Sequence, residues 1–308
     1  MRAIQDVRTL WGAEIPLYEK IGNDISNVLS SAIKAQGMSA KISYRVKETD
    51  SLIKKIARKD SNYEAIRDKV GVRIVAYFKD QLRSIDSLIS EVFCENVNKR
   101  EDMSVKLGEA VFGYQSIHYD ICKIIDGKEH FCEVQLRTIC QDNWSELSHA
   151  LAYKTEINIP LDVKREINAL SAIFELADNQ FQMIQTLIGE LPDTSPIQIL
   201  NYLEKIFYSK IGDTYDQELS AYFLKDINSL YVDANPRLEI QRFLSTKEVD
   251  VLKVIDDNRD NFFFTQPEII LILERLENSK YSLAEFWNTL YPQEELEGIA
   301  NAWGTSIE

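Results

Sequence analysis

Apolar residues recur every three or four positions between residues 11 and 36, at Leu17, Ile21, Ile25, Val28, Leu29 and Ala32, which predicts a helix stopped at Gly37. The period then drops to two. From Lys41 to Lys47, Ile42, Tyr44 and Val46 point one way while Ser43, Arg45 and Lys47 point the other, as in a half-buried strand. Residues 49–69 return to helical spacing, with Thr49 or Asp50 placed to cap the first turn. Val72–Phe78 (VRIVAYF) is β-branched and aromatic and reads as a strand, followed by an amphipathic helix over 80–93. Two more strands, Ser116–Ile125 and His130–Thr138, meet at Asp126-Gly127, a dipeptide suited to a tight hairpin. Residues 139–154 are helical, with Cys140, Trp144, Leu147 and Leu151 as the apolar stripe.

Beyond about residue 160 the alternating pattern nearly vanishes. Helical spacing covers 163–190, 196–209, 215–230, 248–257, 266–278 and 281–290, punctuated by prolines. The expectation is therefore an α/β (α+β) domain over roughly 1–155, then an all-helical region. The segment GELPDTSP (189–196) is the best linker, which divides the chain into 1–194 and 195–308.

Composition narrows the class. At 308 residues, 45% hydrophobic and 27% charged, the chain can bury substantial cores. It contains no run of eighteen apolar residues and its N-terminus has no apolar signal segment, so a cytoplasmic protein without membrane spans is expected. Cys94, Cys122, Cys132 and Cys140 form no C-x-x-C pair and read as reduced core thiols. Three histidines, without an HD dipeptide or H-E-x-x-H, leave little room for a histidine-based metal hydrolase.

Net charge is −14, of which residues 195–308 contribute −10 through ten basic and twenty acidic side chains. Against that background residues 41–59 stand out. Lys41, Arg45, Lys47, Lys54, Lys55, Arg58 and Lys59 face only Glu48 and Asp50, a +5 island that attracts polyanions such as polyphosphates. A solvated helix face would look the same.

Other polar pairs point to the same chemistry, each weakly. On the strand His130–Thr138, Glu133, Gln135 and Arg137 share the polar face, a carboxylate for Mg²⁺ or a proton beside a guanidinium for phosphate. Ordinary polar-out alternation reads identically. Asp68 with Arg73 repeats the theme ahead of the next strand, and the Gly113-Tyr114 pair could hold a ring clear for base stacking or merely cover the core edge. Gln141, Ser145, Glu146, His149 and Tyr153 cluster opposite the apolar stripe of their helix, lining a cleft or facing solvent.

Together these pieces resemble the synthetase domain of the RelA/SpoT family, in its stand-alone small alarmone synthetase form, over roughly residues 20–190. The matching stretches are Arg45-x-Lys47-x3-Ser51-x3-Lys55-x2-Arg58, Asp68-x2-Gly71-x-Arg73, Gly113-Tyr114-Gln115-Ser116-Ile117-His118, Glu133-Val134-Gln135-Leu136-Arg137-Thr138, and Gln141-x2-Trp144-x4-His149-x3-Tyr153-Lys154. The resemblance implies a nucleotidyltransferase-like fold, a mixed β-sheet flanked by helices, and a Mg²⁺-dependent transfer of pyrophosphate from ATP to the 3′-hydroxyl of GTP or GDP, giving (p)ppGpp and AMP. It implies that Arg45 and Arg73 sandwich adenine, and that Lys47, Ser51, Lys55 and Arg58 hold the ATP phosphates. Asp68 and Glu133 become the catalytic and metal-binding carboxylates. Tyr114 would stack on the acceptor base, with His118, Gln135, Arg137, Gln141 and His149 on the acceptor side.

One departure bears on the acceptor. Better-known members carry a Pro-Lys-x-Asn-like stretch just before the Gly-Tyr pair, where this chain has Val111-Phe112. A relative that pyrophosphorylates tRNA 3′ ends or makes (p)ppApp therefore stays open, although a −10 tail disfavours nucleic-acid binding. A non-catalytic nucleotide-binding module is the third reading, disfavoured by the presence of both carboxylates. With no room ahead of residue 40 for a hydrolase domain, synthesis without degradation is expected. A homo-oligomer, and the acidic region as an oligomer interface, packing extension or regulator, are left open.

Overall fold

The computed structural model describes residues 4–59, 62–107, 115–152, 160–212, 214–232 and 234–307. The chain divides into two compact units, 1–33 with 39–183 and 34–38 with 184–308. The first is built on a five-stranded mixed sheet in the order β1-β2-β5-β4-β3, as the family resemblance implied. Its strands are β1 (Ala40–Val46), β2 (Val70–Ala76), β3 (Val97–Asp102), β4 (Ile117–Ile125) and β5 (Lys128–Thr138). β2 and β5 run parallel; every other pair is antiparallel. The β4–β5 hairpin closes through Asp126 (φ 50°) and Gly127 (φ 72°), two left-handed residues in a row, which is the geometry a tight hairpin needs.

The helix α1 (Ile4–Ala35) begins two turns before the expected start, because Val7 and Trp11 extend its buried stripe through Tyr18, Ile21, Ile25, Leu29 and Ile33; Val28 faces outward. The helix α2 (Thr49–Lys59) is shorter than the 49–69 expected. A short 3-10 turn at Tyr63–Ala65 follows, with Tyr63 and Ile66 buried, and Asp68 and Lys69 turn the chain into β2. Asp60, Ser61 and Asn62 are poor helix formers that compete for backbone hydrogen bonds. The helix α3 (Lys79–Val92) follows β2, α4 (Met103–Leu107) follows β3, and α5 (Ile139–Ala152) and α6 (Leu161–Gly189) follow β5.

Three expectations are corrected. β3 escaped detection because VNKRED offers no apolar alternation; it is an edge strand, where charge is tolerated and guards against further pairing. On α5 the apolar stripe is buried only at Cys140 and Trp144, the latter against Phe174 of α6, while Leu147 and Leu151 are exposed. Of the four free cysteines, Cys132 and Cys140 are buried, whereas Cys94 is exposed.

In the second unit the helices are α7 (Pro196–Lys210), α8 (Gln217–Leu224), α9 (Pro236–Asp257), α10 (Ile269–Asn278), α11 (Lys280–Trp287) and α12 (Gln293–Trp303). Pro236 is the first residue of α9, where its missing N–H costs nothing, with Asn235 capping the amides of Arg237 and Leu238. The centre is α10, buried on every side from Ile269 to Leu276 against Phe207, Phe223, Phe264 and Trp287. No helix among the described residues is long and apolar enough to cross a membrane.

Glu268, just ahead of α10, is buried. Ser220 Oγ donates to its Oε2 at 2.5 Å, while Oε1 has no donor. Burial pushes the carboxyl up to about 7; the Ser220 hydrogen bond offsets this only in part, and Asp216 adds to it. Since an unfolded Glu titrates near ~4.3, the contribution of Glu268 to stability is full below that pH and is lost as pH rises through the folded value. Glu268→Gln is expected to flatten this decline and to stabilise the protein at pH 8 by about 1–3 kcal/mol. Denaturant titrations at pH 6 and pH 8 check this, and a wild-type pH slope retained by the variant would contradict it.

Candidate active site

Strand register assembles the polar face of the first unit's sheet row by row. Arg45 of β1 pairs with Gly71 of β2, Gly71 with Glu133 of β5, and Glu133 with Asp120 of β4. The next row runs Ser43, Arg73, Gln135, His118, Glu101. On the opposite face Val72, Val134 and Tyr119 are buried. Just beyond the first row, the Lys47 amide donates to the Lys69 carbonyl and brings Lys47 beside Asp68.

Asp68 is the electrostatic hub. Lys47 Nζ donates to its Oδ2 at 2.6 Å and Lys55 Nζ to the same oxygen at 2.5 Å. Burial opposes ionisation, but the hydrogen bonds and charges of the two lysines outweigh it and hold the carboxyl below the ordinary range. Its other oxygen, Oδ1, is buried with no hydrogen-bond partner. Glu133 is tied on both sides: Gln135 Nε2 donates to Oε2 at 2.6 Å, and His118 Nδ1 lies 3.2 Å from Oε1. Burial would raise its pKa, yet the hydrogen bond and charge of His118, helped by Gln135, bring it below the usual value despite the nearby Asp68.

The chain of contacts continues outward. Arg137, itself buried, donates to Gln135 Oε1 at 2.7 Å and to Asp142 Oδ1 at 3.1 Å. Arg73 donates to Glu146 Oε1 at 2.6 Å and lies 3.3 Å from Asp142. Arg137 thus orients Gln135, which orients Glu133, and α5 supplies the carboxylates that fix both arginines.

Two cavities open on this face. One, of about 370 Å³, is lined by Ser43, Tyr44, Arg45, Lys47, Asp68, Gly71, Val72, Arg73, Glu133, Gln135 and Glu146. The other, of about 430 Å³, is lined by Lys55, Ala65, Ile66, Arg67, Asp68, Lys99, Glu101, His118, Asp120 and Glu133. Asp68 and Glu133 are the residues common to both.

The first cavity gathers Arg45, Lys47, Arg73 and Gln135 around the two carboxylates, and the second gathers Lys55 and His118. Gln141 lines a separate cavity with Lys79, Arg83 and Arg100, its Oε1 accepting from the Thr138 amide at 3.0 Å. Ser51 and His149 are exposed and line none of these cavities. Tyr114 and the side chain of Arg58 lie outside the described residues. Arg67, Lys99, Glu101 and Asp120 were not singled out from the sequence. β3 carries two of them and was itself invisible, while Asp120 alternates with His118 on β4 and could have been found from that spacing.

Gly71 has a steric role. It stands between Arg45 and Glu133, and a Cβ there would meet only Glu133 O at 3.6 Å, an ordinary contact. Glycine is thus not needed for the strand; its bareness keeps the cavity floor open. Gly71→Val is expected to leave thermal stability within about 1 kcal/mol while lowering turnover by about 10²-fold, since β-branched residues suit strands but a displaced substrate loses alignment. Melting curves beside steady-state kinetics check this; unchanged kinetics would contradict it.

A divalent cation fits these residues in one respect and not in another. Asp68 Oδ1 is a buried lone-pair donor with nothing bound to it. Yet no cluster of three or more His, Cys, Asp or Glu side chains placed to hold a metal exists among the described residues. The site therefore suits an ion that takes one or two carboxylates and leaves its other positions to water and substrate phosphates, which is the habit of Mg²⁺.

A family model described as "Region found in RelA / SpoT proteins" matches residues 44–158, a span that contains every residue of the two cavities except Ser43. The chain carries a RelA/SpoT domain. Among curated proteins, the GTP pyrophosphokinase YjbM of Bacillus subtilis (strain 168) is 27% identical over 153 residues, covering 47% of this chain and 72% of the relative. YwaC of the same organism, also a GTP pyrophosphokinase, is 26% identical over 152 residues, covering 44% and 69%. The crystal structure of small alarmone synthetase 1 from Bacillus subtilis, bound to its product pppGpp, superposes with a TM-score of 0.52 at 22% identity, over 59% of this chain and 99% of that one. The RelA/SpoT domain thus has the small alarmone synthetase fold.

Proposed function

We propose that the RelA/SpoT domain transfers pyrophosphate from ATP to the 3′-hydroxyl of GTP or GDP, forming (p)ppGpp and AMP with Mg²⁺. The observation that supports this most is the pair of cavities that share Asp68 and Glu133. A two-substrate transfer needs two nucleotide sites meeting where the bond is exchanged, and in-line placement there supplies much of the rate. The names of YjbM and YwaC, both GTP pyrophosphokinases, agree with this reading.

In this account ATP occupies the cavity with Arg45 and Arg73. Their guanidinium planes stack on adenine, a contact lysine could not replace. Lys47 and Lys55, together with Ser51 and Arg58 on α2, take the phosphates. The acceptor occupies the second cavity, with Tyr114 on its base and His118, Gln135, Arg137, Gln141 and His149 binding it or positioning the groups that do. The 3′-oxygen attacks the β-phosphorus, the bond from that phosphorus to the bridging oxygen of the α-phosphate breaks, and AMP departs with that oxygen. Glu133 is ionised at neutral pH and takes the proton of the attacking hydroxyl; Gln135 and His118 hold it in place. Asp68, through Oδ1, and Glu133 would hold Mg²⁺, which supplies charge neutralisation on the transferred group.

The test is incubation of the protein with γ-labelled ATP, Mg²⁺ and, separately, GTP, GDP, GMP, ATP and deacylated tRNA. Label on GTP or GDP is expected. Label only on tRNA or an adenine nucleotide would overturn the guanine acceptor, and label on none would overturn transferase activity.

A further inference from the structure

Next to Asp68 the chain buries a lysine. Lys69 is only 6% exposed, and a buried ammonium is costly unless its charge is met. Here α1 meets much of it. Lys69 Nζ stands 3.8 Å from the ring centroid of Tyr63, 5.3 Å from that of Tyr18 and 6.0 Å from that of Trp11. It also donates to Glu14 Oε2 at 3.3 Å. Ring faces at this range attract a cation, the more so where water is excluded. Trp11, Glu14 and Tyr18 are three and four residues apart and share one face of α1. Tyr63 Oη donates to the same Glu14 oxygen at 2.6 Å. Burial, then that hydrogen bond, raise the Tyr63 hydroxyl well above its ordinary value, so it stays a donor to Glu14 at neutral pH.

The ties from α1 converge on Lys47. Trp11 Nε1 donates to the Lys47 carbonyl at 3.1 Å, and the Lys47 amide donates to the Lys69 carbonyl at 2.9 Å. Both backbone groups of Lys47 are thus held, one by α1 directly and the other by the residue that α1 cages. Lys47 lies one residue past Val46, the last paired residue of β1, so the sheet ladder alone does not fix it. Its ammonium reaches Asp68 Oδ2 and, at 3.3 Å, the Asp68 carbonyl. From this convergence we infer that Trp11 and Lys69 are positioning residues for the transfer, holding Lys47 in line with Asp68. The inference rests on the reaction proposed above. Neither residue lines the two nucleotide cavities, so each acts through Lys47. An apolar side chain in place of Lys69 would fill the space without the cost of desolvating a charge. The ammonium adds direction: ring faces and a carboxylate meet it in one place, and that fixes the carbonyl on which the Lys47 amide rests.

Two variants of the full chain test this. Trp11→Phe keeps a ring and loses the indole N–H; Lys69→Met keeps the length and loses the charge. With helix content unchanged by circular dichroism, each is expected to lower kcat about tenfold and to move the KM for the guanine acceptor less than about twofold. Hydrogen exchange at the Lys47 amide should accelerate by about tenfold while the β4 and β5 amides keep their rates. The same substitutions in a Lys47→Ala background should cost less than about a further twofold, because no ammonium is left to place. Where Lys69→Met disturbs the helix content, Trp11→Phe, the smaller change, carries the test. Wild-type kcat with wild-type exchange at Lys47 would overturn the proposal, and so would losses that multiply in full in the Lys47→Ala background. A wild-type chain that transfers nothing would remove the proposed reaction instead, and exchange at Lys47 then still decides for or against the tether.

Discussion

Asp68→Ala and Glu133→Ala are each expected to lower the transfer rate by about 10²–10³ or more, the range typical of removing a group that stabilises charge in the transition state. The two should differ in the companion parameter. Asp68 accepts hydrogen bonds from both Lys47 and Lys55, so a triphosphate must compete with it for the same cations. Its removal should lower kcat without raising the KM for ATP, because the freed lysines bind phosphate more readily. Glu133 touches neither lysine among its hydrogen bonds, only Gln135 and His118, and its loss should reduce kcat with little change in KM. Both carboxyls sit below their ordinary range. Their contribution to stability is therefore full above the pKa of an unfolded carboxylate, about 4, and is lost only as pH falls through the lower folded values. Between pH 6 and 8 neither group should produce an inflection in rate. Near-wild-type turnover in both variants would remove these residues from the mechanism.

The second large effect is expected far from that chemistry. Glu274 is fully buried in α10 and accepts from Arg275 Nε and Nη2 at 2.6 Å each, from Tyr231 Oη at 2.7 Å and from Asn278 at 2.9 Å. Arg275 also donates to the Leu230 carbonyl at 3.2 Å and lies 4.0 Å from the Tyr231 ring centroid. Arg275→Met would leave a buried carboxylate without its cation, which typically costs about 3–5 kcal/mol. Hydrogen exchange of the α10 amides should then accelerate by about 10²–10³. Glu274→Met added to Arg275→Met should recover much of the loss, since replacing a whole buried pair by apolar residues is often close to neutral. Unchanged exchange in the single variant would show that the pair does not hold this unit together.

The site and the sheet that carries it were legible to different degrees. Four strands announced themselves because β2 and β5 are apolar on one face and β1 and β4 alternate. β3 did not, because an edge strand needs little apolar surface and VNKRED has almost none. Asp68 and Glu133 were readable as carboxylates beside arginines, but nothing in one dimension says that two cavities share them; that follows from Gly71 pairing with both Arg45 and Glu133. Arg137 reads as a phosphate ligand by residue type, while its burial and its bonds to Gln135 and Asp142 make it a positioning residue here. On α5, spacing gave the apolar stripe but not how far along it α6 would cover it.

The central claim is the transfer of a pyrophosphoryl group at Asp68 and Glu133, and the most direct test is to quantify AMP and ADP by chromatography after a single reaction with GTP. AMP formed in one-to-one ratio with a guanine product that has gained two phosphates, and absent with Glu133→Ala, is the predicted result. ADP as the nucleotide product would mean that one phosphate moves, not two, and no AMP at all would mean that these cavities do not perform the reaction.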